Sequence, residues 1–267
     1  MGSRPVAQWQ SRRLISAGSQ VRSLPGRHIT LEFPIRINKY LAHKGVATRR
    51  AADSLIKSGN VFINGKRAEL GDKVQEKDDV QLKGVQGGSH AYVAYYKPLG
   101  VVTHSPQYGE PEIKNLIKNK NLFPVGRLDK DSEGLIILTD DGRVTERLLS
   151  PRFEHEKEYE VSVREKVSAR ALKLLERGVV IEDFKTKPCK TERTGEHSFR
   201  ITLTEGQKHQ VRRMCDALKY TVEKLKRVRV MNITLGKLSP GEERIMKSEE
   251  LKTFLAELGL ASERSGL

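Results

Sequence analysis

At 267 residues the chain exceeds the roughly 150 residues of an average domain, so about two domains and a sizeable core are expected. Hydrophobic residues make up 37% and charged residues 31%, and no apolar run approaches the roughly 18 residues that a membrane helix needs, which excludes wholesale disorder and a membrane-spanning role. The balance of 49 Lys plus Arg against 34 Asp plus Glu, a formal charge of +15, suits a nucleic-acid partner if the cations cluster. Two cysteines, Cys189 and Cys215, are too few for a disulfide framework and too far apart for a zinc motif, so both are expected as reduced thiols in the cytoplasm. The seven histidines form no HExxH-like array, and no metal site is expected.

Residues 1 to 28 carry Arg4, Arg12, Arg13, Arg22 and Arg27 with no acid, so residues 1 to 33 are expected to lack a fold of their own. Such a segment reads either as an organellar leader or as an upstream extension of a mis-assigned start; it contains no secretory apolar run. From Pro34 the pattern becomes regular. "IRINKYLAHKG" spaces Ile37, Tyr40 and Leu41 on one helical face and stops at Gly45. A second helix follows, with Thr48 as N-cap, Ala51, Leu55 and Ile56 on its apolar face and Gly59 at its end. "NVFINGKRAEL" then reads as a hairpin about Asn64-Gly65. Lys39, Arg49, Arg50, Lys66 and Arg67 cluster in this unit, a pattern suited to phosphate contact. The run from Arg36 to Ala68 resembles an S4-type RNA-binding domain, a family that docks on structured RNA. The unit is assigned to residues 34–83.

Gly84, Gly87, Gly88 and Ser89 give residues 84–90 the composition of a linker. Beyond it, strands are expected at "AYVAYYK", "EYEVSVRE", "FRITLTEG" and "MNITLGKL", with helices at "SARALKLLERG" and "QVRRMCDALK". That alternation indicates an α+β domain with a mixed sheet over residues 91–247. In residues 248–267, Leu251, Phe254, Leu255 and Leu258 form a helical stripe behind Ser248 as N-cap, expected to pack on its own domain.

The stretch "GRLDKDSEGLIILTDDG" sets five carboxylates (Asp129, Asp131, Glu133, Asp140 and Asp141) around a strand-like run. Asp129, Asp131, Glu133 and Gly134 match the first positions of a calcium loop, but Pro124 and Gly126 interrupt the entering helix, so the match reads as coincidence. Four of the acids are expected to face water from turns. Asp129 differs, because it follows Arg127 in a turn where a cation can keep it ionised and oriented. A second basic segment, "EGQKHQVRRMCDALKYTVEKLKRVRVMN", holds Lys208, His209, Arg212, Arg213, Arg227 and Arg229, whose density suits an RNA-facing groove.

Together these motifs resemble the RsuA family of ribosomal RNA pseudouridine synthases, which carry an S4 domain ahead of the catalytic domain. "GRLDKDSEGL" is similar to the motif of the family's catalytic aspartate, which maps to Asp129, with Arg127 beside the substrate pocket. "HEKEYEV" maps the active-site tyrosine to Tyr159, "EGQKHQVRRM" maps the aspartate's cationic partner to Arg212, and a pocket leucine maps to Leu225. "YYKPLGVV" resembles the early KPxG motif, whose Lys97 and Pro98 are taken as structural. "HEKEYEV", "RRMC" and "RVRVMNITLG" are most similar to the RluF-type subgroup, which acts on large-subunit rRNA.

The resemblance implies isomerisation of one uridine in structured RNA, most simply 23S rRNA with transfer RNA as a further candidate, by a cytoplasmic monomer. It implies no metal or organic cofactor. Two rival readings remain: a non-catalytic S4-type RNA-binding or assembly factor, which would lack Asp129, Tyr159 or Arg212, and a metal-dependent nuclease using the acidic cluster.

Overall fold

The protein is described from a computed structural model covering residues 32–44, 46–47, 49–83, 90–150, 152–182 and 184–260, together with the backbone of Arg12–Arg13. The remainder of the leader, Gly45, Thr48 and residues 84–89, on which the helix stop, the N-cap and the linker were expected, lie outside the described residues. Two compact units form, divided between His90 and Ala91, with Asp141–Arg143 counted with the first.

The first unit contains, in chain order, β1 (Arg12–Arg13), β2 (Ile35–Arg36), α1 (Ile37–His43), α2 (Arg49–Lys57), β3 (Val61–Ile63), β4 (Lys66–Arg67), β5 (Lys73–Val74) and β6 (Val80–Leu82). Its strands pair as β1-β6-β3-β4 and β2-β5. Ile37, Tyr40 and Leu41 are fully buried, as their helical spacing requires. In α2 the inward stripe is Ala52 and Ile56, four residues apart, whereas Ala51 is exposed and Leu55 only partly buried. Asn64 and Gly65, at φ 52° and 79°, make the expected tight hairpin between β3 and β4. Gly59 ends α2 at φ 76°, and a Cβ there would collide with the guanidinium of Arg67. That guanidinium donates to Lys57 O at 3.3 Å, across the end of the helix.

The second unit continues with β7 (Tyr92–Lys97), α3 (Ile113–Leu116), β8 (Phe123–Val125), β9 (Glu133–Thr139), α4 (Gly142–Leu149), β10 (Lys157–Val163) and α5 (Ala169–Glu176). There follow β11 (Val180–Ile181), β12 (Phe184–Lys185), β13 (Lys190–Arg193), β14 (Ser198–Leu203), α6 (Gln210–Ala217), β15 (Val222–Val230), β16 (Ile233–Thr234), β17 (Glu243–Ile245) and α7 (Ser248–Glu257). The main sheet runs β13-β14-β10-β15-β9-β7-β17, with β16 on β15 and β8 on β9. Its strand pairs are antiparallel except β15 with β9, so the sheet is mixed and mainly antiparallel. It has helices packed on it, the α+β architecture expected.

Alternation along the strands sorts the core. Tyr92, Ala94, Leu135 and Ile137 join one cluster with Val144 and Leu148 of α4 and Phe254 of α7. Val93, Tyr95, Ile136 and Leu138 face the other way, into a cluster with Ile113 and Leu122. Further along the sheet, Val161, Phe199, Ile201 and Leu225 pack under Leu172 and Leu175 of α5 and Val211 and Met214 of α6. Helix α7 packs on its own unit through Phe254 and Leu258, but Ser248 is not its cap. Lys247 occupies that position without a side-chain bond, and Ser248 is the first helical residue, at φ 52°.

Candidate active site

The turn between β8 and β9 presents Asp129, and its backbone is held from several sides. Thr103, buried, donates its hydroxyl to Leu128 O at 2.7 Å and accepts the Leu128 N–H at 3.1 Å. The Gly100 N–H donates to Lys130 O at 2.9 Å, and the Ser132 N–H closes the turn on Asp129 O at 3.1 Å. Arg212 Nη2 donates to Asp131 O at 2.6 Å. Arg227 donates Nε to Leu135 O at 2.8 Å and Nη1 to Arg127 O at 3.5 Å. With the main chain fixed on both sides of it, the half-buried Asp129 carboxylate is carried at a defined place, the preorganisation that a reacting group needs.

Register explains where this turn points. Lys97 on β7 lies opposite Gly134 on β9, Gly134 opposite Arg227 on β15, and Arg227 opposite Tyr159 on β10. The row falls on one sheet face, between the cluster around Tyr95 and Ile136 and the cluster around Val161 and Leu225. Gly134 allows the parallel strands to approach, because a Cβ there would lie 2.8 Å from Arg227 N and nearer still to Arg227 O. Tyr159 is partly buried beside the second cluster, to which Leu225, 6% exposed, contributes its side chain.

Positive charge gathers behind the turn. Lys97 is fully buried, donates to Pro98 O at 2.9 Å and Val101 O at 2.7 Å, and has its pKa lowered to about 8. Burial is the main cause, opposed by the carboxylates of Asp129, Asp131 and Glu133 and reinforced by Arg227. Burial, with Arg227 nearby, lowers Lys157 to about 8 as well. Cys189 and Cys215 are free, and burial pushes both thiols up to about 12, so neither is poised as a nucleophile.

Several expected roles need correction. Arg212 does not pair with the Asp129 carboxylate; its bonds go to Asp131 O and, at 3.2 Å, to Val222 O. The cationic-type side chain that comes within 4 Å of the Asp129 carboxylate among the described residues is His209, whose Nε2 lies 3.3 Å from Oδ1. Arg227, expected to face RNA, is 5% exposed and turned onto backbone carbonyls, because its row of the sheet points inward. Arg229 is committed to Glu158 of the neighbouring β10 at 2.8 Å and to Glu156, just before that strand, at 3.1 Å. Arg213 is paired with Glu182 at 2.8 Å. Lys208 and Arg127 are exposed, as are Lys39, Arg49, Arg50, Lys66 and Arg67 on the first unit.

Among the acids expected to face water, Asp141 is fully buried and bound by Arg143 at 2.8 Å, and Glu133 accepts from Tyr96 Oη at 3.0 Å. Glu133 to Thr139 form a strand, not a metal-binding loop. Thr103 carried no sequence signal and Gln210 lay in the "EGQKHQVRRM" motif without a role assigned to it, whereas Gly134 inside an apolar run is the kind of residue that marks a close backbone approach.

With the geometry in place, similarity to known proteins gives the class. Residues 91–217 match the RNA pseudouridylate synthase family and residues 35–80 match the S4 domain. The chain is 39% identical over 223 residues to the dual-specificity RNA pseudouridine synthase RluF of Escherichia coli K12, covering 81% of this chain and 77% of that one. It is 36% identical over 233 residues to ribosomal large subunit pseudouridine synthase B of Bacillus subtilis, covering 83% and 96%. A solved pseudouridylate synthase superposes with a TM-score of 0.63 at 29% identity, over 82% of this chain and 99% of that one. The chain therefore belongs to the RNA pseudouridine synthase family, and is an isomerase with an S4 domain ahead of its catalytic domain.

Proposed function

We propose that the protein converts one uridine of large-subunit (23S) rRNA to pseudouridine, with Asp129 as the group that opens the glycosidic bond. The observation that carries this is the Asp129 turn, whose backbone is fixed by Thr103, Arg212 and Arg227 on the sheet face that also bears Tyr159. Residues 34–83 serve as the RNA-docking domain through Lys39, Arg49, Arg50, Lys66 and Arg67, residues 84–90 as linker, residues 91–247 as the catalytic domain and residues 248–267 as its C-terminal helix and tail. The protein acts as a cytoplasmic monomer; no helix among the described residues is long and apolar enough to cross a membrane.

A stacked uridine keeps C1′ out of reach, so the base must leave its helix at a cost of a few kcal/mol, least in a loop or bulge. Asp129 then starts cleavage of the N1–C1′ bond, by attack on C1′ or by removing the C2′ proton. The freed uracil turns, C5 bonds to C1′, and the C5 proton leaves while N1, which carried none in uridine, takes one up, so nothing is gained or lost overall. On this reading Tyr159 stacks on the base and serves as the general base for the C5 proton. Lys97, buried within reach of the Asp129 charge, and Arg227, bonded to Arg127 O and Leu135 O, set positive charge behind the turn in a strongly negative RNA environment.

The test uses deproteinised 23S rRNA, its stem-loop fragments and a transfer RNA in parallel, with pseudouridine mapped by carbodiimide. One 23S uridine should convert, and Asp129→Asn should bind RNA without converting it. Full activity of the Asn variant would sink the assignment, and conversion of transfer RNA alone would overturn the substrate.

A further inference from the structure

The segment between β7 and α3 supports an inference that rests on the reading above. We propose that Tyr108 is a stacking platform for an unpaired RNA base next to the target uridine. Of the aromatic side chains among the described residues, Tyr108 alone is exposed, and fully so, at 108%; the rest are buried or partly buried.

A lone exposed apolar group is ordinary on any protein surface, so position and anchoring decide what this one does. Residues 103–110 leave and return through a closed neck, where the Val102 N–H donates to Pro111 O at 2.9 Å and the Ile113 N–H to Val102 O at 3.1 Å. Both ends of the loop are fastened to the Asp129 turn. Thr103 exchanges two hydrogen bonds with the Leu128 backbone, just before Asp129, and Glu110 accepts from Lys130 Nζ, just after it, at 2.9 Å. Tyr108 is two residues from Glu110, a span of at most about 7 Å of chain. RNA that delivers a uridine to Asp129 therefore brings its adjoining nucleotides within reach of this ring.

The tip of the loop is a braced turn. The Glu110 N–H donates to Gln107 O at 3.1 Å, and the Glu110 carboxylate accepts the Gln107 N–H at 2.9 Å through the oxygen that Lys130 leaves free. Gly109, at φ 81°, takes the third position of this turn, where a positive φ is needed, and Tyr108 takes the second. Neither the turn nor the core calls for an aromatic there. A ring held clear of the surface by a closed turn loses little freedom when it meets a base, which is what a preformed stacking surface requires. Every base has a π face, but only a base outside a continuous helix offers it unobstructed, so Tyr108 favours targets in loops or bulges. Stacking releases no counterions, so it adds affinity without adding to the salt dependence of binding.

The test titrates the full-length protein with the 23S rRNA stem-loop fragment that carries the mapped uridine, labelled with 2-aminopurine at each adjoining position in turn. At one of the two positions, fluorescence in the complex should be lower with wild type than with Tyr108→Ala, because the ring quenches the base it covers. The Ala variant should bind about fivefold or more weakly, with an unchanged salt slope. Tyr108→Phe, which keeps the ring, should restore most of the affinity and the quenching. Because the side chain stands clear of the fold, both variants should melt with the wild-type protein. A smaller loss in the Ala variant, a Phe variant as weak as Ala, or equal fluorescence at both positions would each overturn the proposal. Titration needs no turnover, which keeps the two readings apart. If no 23S uridine converts, or if Asp129→Asn stays fully active, the reading beneath fails, and the same affinity comparison on deproteinised 23S rRNA still decides the role of Tyr108.

Discussion

Gly134→Ala tests the join between the Asp129 turn and the rest of the sheet. At φ 108° an alanine is strained by about 1–3 kcal/mol before any contact is considered. Its Cβ would also stand 2.8 Å from Arg227 N and 3.0 Å from Arg227 C, all backbone that no rotamer change can move. Relief requires β9 and β15 to part, at about 0.5–1.5 kcal/mol for each hydrogen bond lost. The sum is about 3–5 kcal/mol, or a fall in Tm of about 10 °C for a domain of this size. Gly109→Ala is the control, because Gly109 has φ 81° with no atom within 4 Å of the Cβ position, and should cost only about 1 kcal/mol. Thermal melting gives stability, and pseudouridine formation below the melting range gives kcat. The folded Gly134→Ala protein should also be slowed if Asp129 acts as proposed, since Arg227 holds Arg127 O and Leu135 O on either side of the Asp129 turn. A variant melting within about 2 °C of wild type would refute the reasoning.

Arg227→Met should destabilise the protein by about 2–4 kcal/mol in denaturant, because Leu135 O loses a charge-assisted donor, while the salt dependence of RNA binding stays unchanged; a lowered salt slope with full stability would return Arg227 to the RNA surface. Lys97 gives a pH dependence whose sign is fixed by its lowered pKa. Between about 8, its value in the fold, and 10.5, its ordinary value, the unfolded chain binds the extra proton, so stability rises with pH across that window and the full penalty applies below it. Urea midpoints at pH 7.5 and pH 9.5 should show wild type gaining about 1–2 kcal/mol relative to Lys97→Met, and a parallel response of the two would contradict the buried charge.

Much of the frame was legible from local pattern. Ile37, Tyr40 and Leu41 are read correctly because a single helix decides which face they share, and Asn64-Gly65 because the turn conformation itself demands those residues. What escaped depends on contacts between distant segments. Arg227 and Arg229 look alike in "RVRV", yet a register set by β9 and β10 turns one onto carbonyls and the other onto two glutamates. The bond from Thr103 to Leu128 spans 25 residues and has no periodicity to announce it. Asp129 could be singled out from its motif, but its neighbour could not. Whether Arg212 or His209 reaches it depends on how α6 starts, and that start is set by the left-handed turn at His209 and by the buried Gln210.

Among the described residues the main sheet is open, and its ends bear on what could add to it. Both outer strands are short and mostly charged: Lys190-Thr191-Glu192-Arg193 at one margin and Glu243-Arg244-Ile245 at the other. A bare strand margin invites any extended chain to zip onto it, and charged side chains make that addition unfavourable. With both margins guarded in this way, the sheet can stay open among the described residues without recruiting a passing extended chain as an extra strand.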